Sequence, residues 1–274
     1  MSAGDARVSR HWLALREPAD AAARADDLVD HLEPRLAPTG RRVIHDLGGG
    51  SGSMGRWLAP RLPGAQHWVV HDRDADLLAA AAADAPQQAA DGAPVTVDPR
   101  PSDITRLRPQ DLAGATLITA SALLDMLTAG ELSQLIAVCA TADCPILFTL
   151  TVVGHVELAP ADPLDARVAA AFNAHQRRTT QRGRLLGPDA VQHAVQESGG
   201  RGTEVRVRPS PWRLGAPQAG LAAEWFTGWV GAAREQEPAL VAETQDYSRE
   251  RLAQASAGQL AVTVGHADLL VLPR

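Results

Sequence analysis

Two kinds of apolar run alternate along this chain. Short stretches rich in β-branched and other apolar residues at 42–47, 67–71, 95–97, 116–120 and 145–153 predict strands. Between them, stretches with apolar positions every three or four residues, at 53–62, 74–83 and 130–141, predict helices. Strands separated by helices of this length imply right-handed βαβ units and a parallel sheet. The runs at 116–120 and 145–153 have almost no polar interruption, which suits central strands covered on both faces.

The pattern differs at both ends. Residues 9–36 carry helical signals (Trp12, Leu15, Ala19, Ala22 and Ala23, then Leu28, Val29 and Leu32), with Pro18 expected to start a new turn, and they read as an N-terminal helical cap. Residues 163–198 read as two helices around the turn signal Leu186-Gly187-Pro188, and 204–207 as a short alternating strand. A helical insertion at about 217–254 precedes a final strand at 260–272, interrupted at Gly265-His266; the two late strands are expected to pair antiparallel at the sheet edge. No internal repeat is visible, and 274 residues suit one decorated α/β domain. Its expected parts are a cap (1–36), a ligand-binding core (37–160), a helical segment (161–203), and edge strands with a helical insertion (204–274).

Composition narrows the chemistry. A net charge of -6 argues against a nucleic-acid polymer as main partner, because such binding needs clustered positive charge. All 26 basic side chains are arginine, so Schiff-base chemistry and a Walker A lysine are excluded. Cys139 and Cys144 read as free thiols, and no metal site is expected. The N-terminus lacks the apolar core of a signal peptide and no run is long enough for a membrane span, so a cytoplasmic protein is expected.

The most informative segment is Val43-Ile44-His45-Asp46-Leu47-Gly48-Gly49-Gly50-Ser51-Gly52-Ser53-Met54-Gly55, a strand running through glycines into a helix. Glycines allow positive φ and close approach of a ligand, while the helix start offers unpaired N–H groups. Gly50-x-Gly52-x-x-Gly55 also matches a dinucleotide fingerprint, so two ligand classes stay open. Asp46 favours a ligand bearing an ammonium group, since a carboxylate here would repel pyrophosphate. Asp72, 20 residues after Gly52, is placed to accept hydrogen bonds from ribose hydroxyls in either class.

From about Arg42 to Leu127 the chain resembles the cofactor half of class I S-adenosylmethionine (SAM)-dependent methyltransferases. The resemblance implies a Rossmann-like doubly wound seven-stranded α/β sheet of order 3-2-1-4-5-7-6, strand 7 antiparallel, the late strands forming its edge hairpin. It implies that Asp46, Gly48, Gly50 and Gly52 wrap the methionyl part of SAM and that Asp72 binds the ribose. Ser102-Asp103-Ile104 resembles the acidic turn at the adenine amino group, so Asp103 and Ile104 join the cofactor residues. Arg73 stands beside them, where many members place an apolar residue. The segment 120–127, including Ser121 and Asp125, resembles the floor of the methyl-transfer site.

Methyl transfer from a sulfonium is an in-line displacement that alignment and exclusion of water can largely accelerate. A base is needed only where the acceptor must lose a proton. His155, read as following the fifth strand, and His175, on the stripe shared with Leu164, Val168 and Phe172, are the candidate catalytic residues. Arg16 in the cap is a candidate partner for the methionyl carboxylate. Trp212, Trp225 and Trp229 are spaced for helix packing, with an acceptor-pocket wall as the alternative. The expected partner is a small organic acceptor, and a homodimer is compatible with the sequence. The competing readings are a SAM-binding protein without transfer activity and an NAD(P)-dependent oxidoreductase.

Overall fold

The computed structural model describes residues 8–36 and 40–273; residues 1–7, part of the segment read above as lacking a leader, lie outside them. The cap is α1 (Arg10–Ala23) and α2 (Asp26–Leu32). Helix α1 runs through Pro18 rather than restarting there: both Pro18 and Ala14, whose carbonyl loses its partner, face solvent.

The core alternates as the apolar runs predict: β1 (Arg42–Leu47), α3 (Ser53–Leu58), β2 (Gln66–Asp72), α4 (Ala75–Ala83), β3 (Val95–Pro101), β4 (Leu117–Ser121), α5 (Ala129–Ala140) and β5 (Ile146–Ala159). Then follow α6 (Asp165–Gln176), the small hairpin β6 (Thr179–Thr180) and β7 (Gly183–Arg184), α7 (Ala190–Gly199), β8 (Glu204–Pro209) and β9 (Trp212–Leu214). The chain ends with α8 (Ala219–Gln236), α9 (Leu240–Glu243), α10 (Gln245–Ser256) and β10 (Ala261–Leu272).

The main sheet has the order β3-β2-β1-β4-β5-β10-β8, with β9 also paired to β10. Strands β1 to β5 are mutually parallel, and β10 is antiparallel to β5, β8 and β9, which is the edge arrangement expected from the sequence. Residues alternate between its two covered faces: Leu269 and Val271 of β10 pack with α5 and α7, while Leu270 and Leu272 pack with α2 to α4. The expected break at Gly265-His266 is a register shift between Val264 and His266.

Strand β5 is longer than the apolar run implied. Beyond Val153 it alternates half-buried and exposed side chains up to Leu158, where 261–264 of β10 pair with 156–159. This ribbon extends past β4 and carries a third apolar cluster, built from β9, α6, α8 and α10, against which Trp12 and Leu15 of α1 pack. The helical insertions therefore stand over the carboxyl ends of the parallel strands, where open α/β sheets bind ligands. Cys139 and Cys144 are free and buried, and burial pushes both thiols up to about 12. Among the described residues no helix is long and apolar enough to cross a membrane.

Candidate cofactor and acceptor site

Asp46, Asp72 and Ser121 end three neighbouring parallel strands, so the sheet itself brings them together. Asp46 is fully buried; Thr119 Oγ1 donates to its Oδ1 at 2.8 Å, and Oδ2 has no partner. Burial lifts its carboxyl to about 7, against the Thr119 hydrogen bond and the field of Arg24. Gly48, Gly50 and Gly52 have φ of 64°, 53° and 84°, so each of the three glycines expected to wrap a ligand occupies the left-handed region. Gly55 has no such need: a Cβ there would sit 3.6 Å from the Trp68 ring, an ordinary contact.

Asp72 stiffens this loop. Its Oδ2 accepts from Gly50 N and its Oδ1 from Asp74 N, both at 2.9 Å. Asp103 accepts from Thr105 N at 3.0 Å and Thr105 Oγ1 at 2.7 Å; Arg73 is exposed and lies in its electrostatic field. Ile104 packs into the apolar core beneath that turn.

The loop is roofed by α1. A Cβ on Gly50 would meet Leu13 Cδ1 at 3.6 Å, and Glu17 holds Arg56 of α3 through two 2.6 Å hydrogen bonds. Just past α1, Ala25 N donates to Asp268 of β10 at 2.9 Å. Asp268 also accepts from Leu150 N, at a left-handed point of β5 (φ 56°), and from Ser210, between β8 and β9. One buried carboxylate thus fixes where the cap enters the core, and burial raises its pKa.

That anchor positions Arg24, which the sequence reading did not single out. The guanidinium is 3% exposed; Nη2 donates to Ser53 Oγ at 3.2 Å and to Ser121 Oγ at 3.1 Å, while Nε and Nη1 have no partner. Burial lowers its pKa against the fields of Asp20, Asp268 and Asp46. A buried cation with two unused donors, beside a carboxylate with an unused acceptor, is costly unless a ligand bearing both charges completes it. Its sequence signal is the i, i+4 series Arg16, Asp20, Arg24 along a helix that is otherwise alanine-rich.

No family model and no curated protein matches this sequence. Solved structures do match over nearly the whole chain. The cyclopropane synthase MmaA2 from Mycobacterium tuberculosis aligns with a TM-score of 0.52 at 12% identity, covering 96% of this chain and 94% of that one. The mycolic acid cyclopropane synthase CmaA1, solved with S-adenosylhomocysteine (SAH) and CTAB, aligns at 0.51 and 13%, covering 95% and 94%. YcgJ from Bacillus subtilis aligns at 0.50 and 14%, covering 96% and 97%. The chain has the class I methyltransferase fold.

Within this methyltransferase fold several expected residues have other partners. Arg16 is held by Asp20 through hydrogen bonds of 2.8 and 3.1 Å and lies over the Trp212 ring, whose Nε1 donates to the same carboxylate. Nε and Nη2 of Arg16 are thus matched by a carboxylate one turn away, whereas Arg24 is the guanidinium with two buried nitrogens left without a partner. His155 does not follow β5 but lies within it, its side chain 57% exposed and 3.2 Å from Glu157. His175 closes the last turn of α6 against Glu235 of α8 at 3.1 Å, as a helix-to-helix contact.

Two further titratable groups lie just beyond β4 and within β10. Asp125, just beyond β4, is half-buried, and burial raises its carboxyl against the fields of Arg16 and Arg178. The His266 ring is tilted at 55° against Trp212, 5.4 Å between centroids; burial, and then the charge of Arg16, push it down to about 3, and its Nδ1 has no partner. Ala122, directly after Ser121, is left-handed at φ 51°, a non-glycine strain of the kind that marks functional turns.

Proposed function

We propose that this chain is a cytoplasmic enzyme that binds SAM and passes its methyl group to a small organic acceptor. The observation that carries the reading is the buried pair of unmet charges, Arg24 with two free donor nitrogens and Asp46 with a free carboxylate oxygen, flanking a loop with three left-handed glycines. An amino-acid head group bears the complementary carboxylate and ammonium. When bound, the sulfonium supplies a methyl group open to in-line attack. Around it, Arg24 would take the methionyl carboxylate, Asp46 the ammonium, Asp72 the ribose, and Asp103 with Arg73 the adenine end.

The chain's remaining tasks are alignment and exclusion of water, which the α1 roof and the insertion over the strand ends are built to perform. Where the acceptor must lose a proton, Asp125 is the group whose raised pKa suits a base, in preference to His155 or His175. The small acceptor is supported by the compact helical insertion and by the net charge of -6.

The reading is tested by incubating the protein with SAM and a panel of small hydroxylated, amine-bearing and activated-carbon acceptors, and following SAH by mass spectrometry. Turnover that requires one acceptor class supports it. SAH formed only with RNA, DNA or protein would replace the acceptor, and SAH binding without turnover of any acceptor would leave a SAM-binding protein.

A further inference from the structure

A concave feature lies where α1 meets α6 and α8. Trp12 of α1, Phe172 of α6, and Glu224, Trp225, Gly228 and Trp229 of α8 line a cavity of about 470 Å³. That volume is within the roughly 300–1,000 Å³ typical of small-molecule sites. Trp225 and Trp229, one helical turn apart, stack at 5.3 Å between ring centroids with 20° between planes. Trp229 is core, 1% exposed, and its buried Nε1 has no hydrogen-bond partner, whereas Trp225 and Trp12 are only half-buried.

The chemistry of this lining is of one sign. Aromatic faces present negative quadrupole to whatever lies over them, and Glu224 adds a carboxylate, 40% exposed, whose Oε2 lies 3.2 Å from His11 Nε2, so a bound cation would share or replace that contact. Packing alone explains Trp229; it does not explain half-buried indoles around open space with an acid among them. Gly228 borders that open space, since a Cβ added there would meet nothing within 4 Å. The cavity also adjoins the proposed methyl-transfer site through one helix. Trp12 lies 6.3 Å from Trp212, over which Arg16 stacks, and the residue after Trp12, Leu13, covers Gly50.

We propose that this cavity is an aromatic cage for an organic cation, an alkylated ammonium above all, and that the methyl acceptor carries this cation as a handle beside a separate lone-pair atom, which bonds the methyl carbon as the S–CH3 bond breaks and the sulfonium leaves as a neutral thioether. The cation sits against Trp12 and Trp225 with Glu224 as counter-charge. Only the assignment of this ligand as the acceptor rests on the methyl-transfer reading; binding of the cation does not.

The test uses the full chain with ¹⁵N-labelled indoles, titrated in parallel with choline and with its neutral carbon isostere 3,3-dimethylbutan-1-ol. Choline is expected to shift the Trp12 and Trp225 indole resonances saturably and to bind about 2- to 30-fold more tightly than the isostere. Glu224→Gln should weaken choline more than the isostere. Gly228→Leu, which fills the cavity from an exposed helical position, should abolish both responses while leaving thermal stabilisation by SAH unchanged. Equal binding of the two probes, no shift with either, or shifts that survive Gly228→Leu would overturn the cage. Choline binding in a protein that SAH does not stabilise would keep the cage and overturn its assignment to a methyl acceptor; SAH stabilisation without a choline response would sink the cage alone.

Discussion

Arg24 Nη2 reaches Ser121 Oγ at 3.1 Å, joining the end of α1 to the end of β4 across 97 positions of sequence. The contact places a buried guanidinium where two of its nitrogens have no protein partner. Such an arrangement costs stability in the free protein and is recovered only when an anion arrives. The first prediction is therefore a split between two arginines one helical stripe apart. Arg24→Met should weaken SAH binding by about 10- to 100-fold with little loss of thermal stability. Arg16→Ala, which breaks the Asp20 pair and uncovers Trp212, should lower the melting temperature and change SAH affinity less. Calorimetric titration and thermal melts of the two variants check this.

Opposing proton linkages should shape stability against pH. His45 Nδ1 and His71 Nε2 are 3.0 Å apart in a buried stack, and His71 Nδ1 meets Ser102 Oγ at 3.0 Å. Burial, reinforced for His45 by the charge on His71 and for His71 by Arg100, pushes both down to about 4. Their contribution is complete above about pH 6.5 and is lost as pH falls towards 4. Asp46 runs the other way: with its folded pKa raised to about 7, it destabilises the protein progressively as pH rises from 3.8 to 7. Asp46→Asn should therefore raise stability at pH 8, by on the order of 1–4 kcal/mol, and steepen the loss between pH 6.5 and 4. Denaturant melts across pH would refute this if the variant and the parent had parallel profiles.

The glycine loop predicts a contrast between neighbours. A Cβ on Gly49 would meet Asp46 Oδ2 at 2.5 Å and Val70 Cγ1 at 2.6 Å, so Gly49→Ala should cost about 1–3 kcal/mol. Gly55→Ala has room and sits inside α3, where alanine should stabilise by about 0.5–1 kcal/mol. A dinucleotide site that needed its third glycine for close packing would give the opposite result at Gly55. Chemical denaturation of the two variants decides.

Asp125→Asn should lower kcat by roughly 10²- to 10⁴-fold for an acceptor that must lose a proton and leave SAH affinity unchanged. For an acceptor already deprotonated at the working pH, kcat should be nearly unaffected. Comparison of the two acceptor types, with SAH titration as control, measures whether the raised carboxyl acts on a proton or only on packing.

The strand order and the ligand loop were legible because they depend on local signals: β-branched runs for β1, β2 and β4, and glycines where φ must be positive. Less legible was what depends on distant pairing. The alternation Val152-Val153-Gly154-His155-Val156-Glu157-Leu158 carries the period of a half-buried strand, yet its polar positions end the continuous apolar run, and only β10 across the sheet makes it strand. The apolar run alone therefore ends β5 before His155, which the pairing with β10 puts inside the strand. Arg24 was obscured in the same way: its role depends on Asp268, 243 positions beyond Ala25, fixing the helix end. Three residues of β9 gave no periodic signal at all.

The most direct measurement is isothermal titration of the full chain with SAM, SAH and NAD, repeated with Arg24→Met and Asp72→Ala. The account predicts micromolar binding of SAM and SAH, weakened in both variants, and no binding of NAD. Binding of NAD alone, or SAH affinity indifferent to Arg24, would contradict it.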